Sequence, residues 1–345
     1  MARGPVSSEL SRALRGDRDR LPALRDAAGE LSRRLAAGNE PGAVLTDDDL
    51  QLCLHLLYEL HYAGFDDVDP AAEWSPELLG VRAVLEGPFE DALRAEAARV
   101  RLPAPTASAV ADGLGALTAD DDGPSLSAFL ARAATAGQFR EFVVHRSVYQ
   151  LKEADPHTWA LPRLTGRAKA ALAEIQIDEY GGGRPDRVHA ALYARAMRAL
   201  GLDDTYGAHV DRVPAITLAT VNAMSLFGLH RRLRGAVVGH LAAFEMTSTV
   251  PNRRYGAGLR RLGFGADATW FFDEHVEADA VHEQIAAHDM CGSLVEDEPA
   301  LLADVFLGAA TALHLERRFA EHVLTAWSSG RSSLRTRGAA VGSVA

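Results

Sequence analysis

The segment 270–285 places two histidines and one aspartate on a single helical stripe. It contains no Gly or Pro, and most of its residues are compatible with a helix. Because successive residues of a helix turn by about 100°, His275, Asp279 and His282 at i, i+4 and i+7 share one face. Imidazole and carboxylate groups are ligands for iron, manganese or zinc. The stripe predicts half of a metal site; the alternative is a solvated polar helix, since three glutamates share the segment.

A lone carboxylate lies in an apolar stretch further upstream. Glu245 is surrounded by Val, Leu, Ala, Phe and Met within the predicted helix 235–248. An unpaired buried charge is too costly to persist, so this carboxylate must be paired, protonated or bound to a metal. The alternative to a metal ligand is an ordinary ion pair with one of the nearby arginines.

Further candidate ligands flank a run of three glycines at 181–183. Glu179 precedes the glycines and His189 follows them, ten residues later. In an unbroken helix the two would lie about 80° apart, and a break at the glycines could rotate them together. Asp186 is three residues before His189 and shares its face. Glu153 lies in the last turn of an earlier predicted helix.

The composition bounds the fold. With 345 residues, 48% of them hydrophobic, the chain can bury a large core. Strand signals are sparse, so we predict an all-α fold. The predicted organisation is a charged, partly disordered arm at 1–40, an N-terminal helical region at 41–120, a main helical domain at 125–330 and a flexible tail at 331–345, with the best linker candidate at 103–124.

Charge and cysteine usage exclude several classes of protein. The net charge of −11 argues against a nucleic-acid surface, because such a field repels phosphate. The two cysteines, Cys53 and Cys291, cannot build a disulfide framework, which favours a reducing, cytoplasmic setting. No uninterrupted apolar run of about 18 residues exists, so we expect no membrane-spanning segment.

The order and spacing of the candidate ligands resemble the haem-oxygenase-like di-iron oxidases and oxygenases, a family of iron-containing redox enzymes. The cofactor helix of that family carries the same His-x3-Asp-x2-His pattern, with Glu245 and His189 matching an upstream Glu and an earlier His. The resemblance covers about residues 125–327 and includes the central domain of N-nitrosourea-forming N-oxygenases. It implies a haem-oxygenase-like helical bundle whose N-terminal helical region supports a homodimer.

The resemblance also implies the ligands and the cofactor. The implied core ligands are Glu179, His189, Glu245, His275, Asp279 and His282, with Asp186 and Glu153 as additional ligands. Asp186 replaces a Glu of the family pattern and is one methylene shorter. The implied cofactor is two iron ions per chain, cycling between Fe(II) and Fe(III), with O2 as co-substrate.

We therefore expect a non-haem di-iron oxidase or oxygenase that oxidises a small amine or amino-acid-like metabolite. Within the resemblance, the reaction is N-oxygenation or oxidative C–C cleavage, with an external electron donor as a further partner. Three arginines, whose guanidinium groups suit a carboxylate, and three tyrosines could contact the substrate. They are Arg146, Arg253, Arg254, Tyr149, Tyr180 and Tyr255.

Two alternatives stay open from the sequence. One is a non-catalytic helical metal-binding or interaction module, and the other is a single-metal or mixed manganese–iron oxidase, since carboxylate and imidazole suit several ions. A structural site is coordinatively closed, whereas a catalytic site keeps positions open. Eight candidate ligands for one cluster favour two metals and therefore chemistry.

Overall fold

The computed structural model describes residues 2–38, 40–119 and 123–336, except for the side chains of residues 277–281. Among these described residues none lies in a strand, which confirms the predicted all-α fold. The helices are α1 (Pro5–Leu14), α2 (Leu21–Ala37), α3 (Pro41–Leu45), α4 (Asp48–Glu59), α5 (Pro76–Ala97), α6 (Ala107–Ala119), α7 (Leu126–Arg132), α8 (Ala136–Gln150), α9 (Asp155–Thr158), α10 (Gly166–Glu179), α11 (His189–Ala199), α12 (Ala215–Leu229), α13 (Arg234–Arg261), α14 (Ala266–Gln284), α15 (Ser293–Asp297) and α16 (Leu302–Ser328).

The long helix α13 is the centre of the bundle and packs along both α14 and α16. Glycines let α13 and α16 approach until their backbones touch. A Cβ added to Gly239 would lie 1.9 Å from the Val305 carbonyl oxygen, and a Cβ added to Gly308 would lie 1.9 Å from that of Ala236. The helix α12 is apolar around almost its whole circumference, as expected for a buried helix, and packs against α16.

The N-terminal residues are packed, unlike the partly disordered arm expected at 1–40. The helices α1 and α2 bury an apolar residue every three or four residues between their charged positions, including Val6, Leu10 and Leu24. The carboxylate of Asp49 on α4 accepts hydrogen bonds from the backbone N–H groups of Val6 and Ser7, at 2.9 and 2.8 Å. This contact satisfies two donors at the start of α1. The apolar spacing was hidden by the many arginines and aspartates between these positions.

A single hydrophobic core joins the regions that we expected to be separate. The buried apolar residues form one cluster from Val6 to Leu334. Helix α4 packs on α12, and α5 packs on α16. The linker expected at 103–124 contains α6, which buries Val110 and Leu114. In the predicted tail, Leu334 is buried and residues 337–345 lie outside the described part.

The stretch Pro299–Ser328 is long and apolar enough to cross a membrane by length and composition alone. However, 56% of its most apolar window is buried inside the fold. This burial is typical of the core helix of a globular bundle.

The close contact of α13 and α16 predicts unequal effects of two Gly→Ala substitutions. Gly239→Ala should lower the free energy of unfolding by about 1–3 kcal/mol or more, because the new methyl group overlaps the backbone of α16. Gly80→Ala is the matched control, since it lies exposed on α5 with no atom within 4 Å of an added Cβ. It should raise the free energy of unfolding by about 0.5–1 kcal/mol. Urea denaturation followed by circular dichroism measures both, and an unharmed Gly239→Ala protein would contradict the contact.

Candidate metal centre

The first candidate ligand, Glu153, lies next to a strained backbone position. Glu153 follows the end of α8, and the next residue, Ala154, has φ 76°. A positive φ at a non-glycine residue is unfavourable and persists only where the surroundings hold it. On the preceding side, Lys152 Nζ and Glu59 Oε2 form a buried ion pair at 2.8 Å. The chain is thus held on both sides of Glu153.

A glycine turn brings the second carboxylate next to the first imidazole. Glu179 is the last residue of α10 and His189 the first of α11. Gly181 has φ 68°, and a Cβ there would lie 2.6 Å from the backbone of Arg187. Because only glycine fits this turn, α11 folds back beside the end of α10. His189 Nδ1 then lies 3.0 Å from Glu179 Oε2.

The remaining donors come from the adjacent helices α13 and α14. His275 Nδ1 donates to the backbone oxygen of Phe271 at 2.8 Å, which leaves Nε2 facing Glu153 Oε1 at 3.5 Å. His282 Nδ1 lies 3.3 Å from Glu245 Oε2. After His282 the helix widens into a π-helix at Ile285–Gly292. Such π segments occur frequently at functional sites.

These donors form two groups that share one carboxylate. The first group is Glu153, Glu179, His189 and His275, and the second is Glu179, Glu245 and His282. Within each group, the potential ligand atoms lie within 4.8 Å of one another. All six side chains are between 1% and 8% exposed. Glu179 is the carboxylate that belongs to both groups.

The electrostatics of the cluster are those of a site that needs positive charge. Burial raises the pKa of Glu153, Glu179 and Glu245, although the nearby imidazoles lower it in part. Burial lowers the pKa of His282, but its hydrogen bonds with Glu245 and Asp178 outweigh that effect and raise it to about 9. The imidazole thus carries a proton in the place that a metal ion would take.

Two buried carboxylate oxygens are a second observation that fits a metal site. Glu153 Oε2 and Glu179 Oε2 are buried, and although His189 Nδ1 lies 3.9 and 3.0 Å from them, neither oxygen accepts a hydrogen bond of good geometry from the described residues. Buried carboxylate oxygens are rarely left in this state, because the lost solvation costs about 1–3 kcal/mol or more for a charged group. Carboxylate oxygens and imidazole nitrogens in this ratio suit iron or manganese.

The structure brings together six of the eight sequence-predicted ligands: Glu153, Glu179, His189, Glu245, His275 and His282. Asp186 is not among them. It lies in a 3-10 turn, its side chain is 66% exposed, and its carboxylate contacts Arg184 at 3.4 Å. The side chain of Asp279 lies outside the described residues. That the six residues bind metal stays a prediction.

Sequence reasoning missed Asp178. Its carboxylate Oδ2 accepts from His282 Nε2 at 3.0 Å, on the side of the ring opposite Glu245. A carboxylate in this position fixes the ring orientation and the tautomer of a metal-binding histidine. Nothing in the spacing within α10 signals this role, because the contact joins α10 to α14.

A cavity of about 590 Å³ opens beside the cluster. Its lining includes the ligand candidates Glu153, Glu179, Glu245 and His275. The lining also includes eight aromatic side chains: Phe142, Tyr149, Tyr193, Phe244, Tyr255, Phe271, Phe272 and Phe319. A pocket of this size accommodates an organic molecule considerably larger than O2.

The six residues expected to contact a substrate divide into two sets. Arg146, Arg254, Tyr149 and Tyr255 line the cavity. Arg253 is exposed outside the lining, and Tyr180 donates instead to Asp155 at 2.8 Å.

Comparison with known families agrees with the site. The sequence signature of the iron-containing redox enzymes matches residues 140–317, about half of the chain, and the match includes all six clustered donors. The chain belongs to this family, and the predicted haem-oxygenase-like resemblance is confirmed. No protein of curated function matches the chain. Membership in an iron-containing redox family and a buried cluster of Glu and His together support an oxidoreductase that uses iron.

Because Ala154 is strained, we predict that its replacement by glycine stabilises the protein. Ala154→Gly should raise the free energy of unfolding by about 1 kcal/mol, because glycine adopts a positive φ without strain. Ala170→Gly, at an exposed position within α10, is the control and should lower it by about 1 kcal/mol. Urea titration of both variants in the presence of a chelator separates this effect from metal binding. A lower stability for both variants would show that Ala154 is not strained.

Proposed function

We propose that this protein is a non-haem di-iron oxidase or oxygenase that uses O2 to oxidise a small amine or amino-acid-like metabolite. The observation that carries the proposal is Glu179, which belongs to two separate buried groups of ligands. A carboxylate shared in this way is how helical di-iron proteins hold two ions next to each other. The reaction is N-oxygenation or oxidative C–C cleavage.

Iron bound by the two groups would supply the electrons that reduce O2 and would oxidise the substrate. The chain's own residues prepare the site for this chemistry. His275 keeps its proton on Nδ1 through the Phe271 carbonyl, so Nε2 is available as a ligand. Asp178 holds the ring of His282 in the same manner through Nε2. The aromatic side chains of the lining would contact the apolar part of an organic substrate beside the cluster.

We further propose a cytoplasmic homodimer that receives electrons from an external donor. Cys53 and Cys291 are both buried free thiols, which supports a reducing compartment. Pairing through the N-terminal helices is the arrangement that the family resemblance implies. Neither nucleic acid nor membrane is part of this proposal.

The first test is the iron content and O2 reactivity of the wild-type protein. Anaerobic loading with Fe(II) should give about two irons per chain, as expected for a carboxylate-bridged pair. Rapid mixing with O2 should then give a transient visible absorption and consumption of O2. One tightly held ion that reacts with O2 would favour a single-metal oxidase. One ion indifferent to O2 would favour a non-catalytic metal-binding module.

The shared position of Glu179 predicts different metal losses for two variants. Glu245→Ala removes a ligand from one group only and should leave about one iron per chain, whereas Glu179→Ala weakens both groups and should leave less than one. Both should abolish O2 consumption while helicity, measured by circular dichroism, is kept. Asp186→Asn is the control, because that residue lies outside the cluster. Equal iron loss in the two cluster variants would contradict the bridging position.

The contact between Asp178 and His282 predicts a specific loss of metal affinity. Asp178→Asn should weaken the binding of one of the two irons by about 10–100-fold, since the imidazole loses the carboxylate that orients it. Glu174→Gln, one turn earlier on the exposed face of α10, should not change it. Competition with a chromogenic chelator measures the affinity. An Asp178→Asn protein with wild-type affinity for both ions would remove Asp178 from the site.

A further inference from the structure

Away from the clustered ligands, the charges that line the cavity are mostly positive, whereas the protein as a whole is acidic. The described lining contains four arginines, Arg132, Arg146, Arg254 and Arg317, and apart from the clustered ligands its only carboxylate is Glu316. The chain as a whole carries a net charge of −11. A basic lining in an acidic protein attracts an anion specifically to the cavity.

One of these arginines is placed to bind that anion. Arg146 is already neutralised, because Glu316 accepts two hydrogen bonds from it at 2.6 and 2.5 Å. Arg254 is different. Among the described residues its partners are the uncharged hydroxyls of Ser125 and Ser127, each at 3.2 Å. A guanidinium beside two hydroxyl groups offers several donors to one carboxylate.

Arg254 and the cluster are separated along the axis of α13. Arg254 follows Glu245 by nine residues on α13, a rise of about 13 Å along the helix axis. Both residues line the same cavity. An anion on Arg254 therefore belongs to a molecule whose other end can reach the clustered ligands.

At the cluster end, the lining presents a buried hydrogen-bond acceptor, the side-chain oxygen of Gln176. Gln176 is 3% exposed and lies one helical turn before Glu179. Its Nε2 donates to the backbone oxygen of Ala154 at 3.4 Å, which fixes the orientation of the amide. Its Oε1 is buried and has no hydrogen-bond partner among the described residues. Such an acceptor is costly to leave unsatisfied, and a bound N–H group would satisfy it.

We propose that Arg254 and Gln176 are the two recognition residues of the cavity and that the substrate is an elongated carboxylate with an N–H group at its far end. Arg254 binds the carboxylate near Ser125 and Ser127, and Gln176 Oε1 accepts from the N–H group beside the cluster. The aromatic side chains of the lining contact the apolar body between them. The inference rests on the proposed function only for the statement that the N–H end is the one that reacts.

Binding of linear probes to the full-length protein tests this inference. The probes are the monoamides of straight-chain dicarboxylic acids with four to twelve carbons, each compared with the monomethyl ester of the same acid. The two members of a pair have the same carboxylate and similar length, but only the amide has N–H donors. Calorimetry under anaerobic conditions measures affinity, and the iron content is determined on the same sample.

The best-fitting monoamide should bind about 2–10-fold more tightly than its ester, the contribution of one hydrogen bond. Gln176→Leu should remove this difference, while Arg254→Ala should weaken both probes by about 10–100-fold through loss of a charge-assisted contact. Arg253→Ala is the matched control, because its side chain is exposed and outside the cavity, and it should bind as wild type.

Three results would overturn the inference: equal binding of amide and ester, wild-type affinity in Arg254→Ala, or no binding by any probe of the series. The outcome is separate from that of the proposed function. Selective binding in a protein without two irons would retain the recognition residues and reject the di-iron enzyme. Two irons per chain without selective binding would retain the di-iron enzyme and reject the recognition residues.

Discussion

The burial of several carboxylates in one place is the constraint on which the rest of this structure depends. Glu153, Glu179 and Glu245 are almost completely removed from water and lie in two neighbouring groups that share Glu179. Like charges in a medium of low dielectric repel strongly, and among the described residues no hydrogen bond of good geometry replaces the solvation lost by Glu153 Oε2 and Glu179 Oε2. Either protons or cations must neutralise them. A fold that keeps such a cluster gains from it only when something positive is bound there.

The same constraint explains where the backbone departs from regular helix. Glu153 precedes the positive φ of Ala154, Glu179 precedes the glycine turn, and His282 precedes the π-helix. A regular helix presents only residues three, four or seven apart on one face. Donors that must converge from four helices and from the turn after α8 therefore need local breaks. At the centre of the bundle, the glycines of α13 and α16 allow the backbones of these two helices to touch.

Sequence periodicity predicts what lies within one element. The spacing of His275 and His282 predicts their common face, and the apolar neighbours of Glu245 predict its burial, because both depend on local geometry. The contact of Asp178 with His282 joins two helices, so no spacing contains it. The exposure of Asp186 depends on a short 3-10 turn whose direction the glycines leave open. The sequence does not predict the packed N-terminal helices, because their apolar residues are few and are separated by charged residues.

The distribution of charge within the cavity ties the site to its substrate. One end is lined by clustered carboxylates, and a guanidinium, Arg254, lies further along α13. With cations bound among the carboxylates, that end becomes close to neutral, whereas Arg254 keeps its charge. The field then orients an incoming anion with its charge toward Arg254 and its uncharged end toward the cluster. Arg146 does not compete for the anion, since Glu316 already neutralises it between the rings of Phe142 and Phe319. In the proposed complex, metal occupancy and substrate orientation would therefore be coupled through electrostatics.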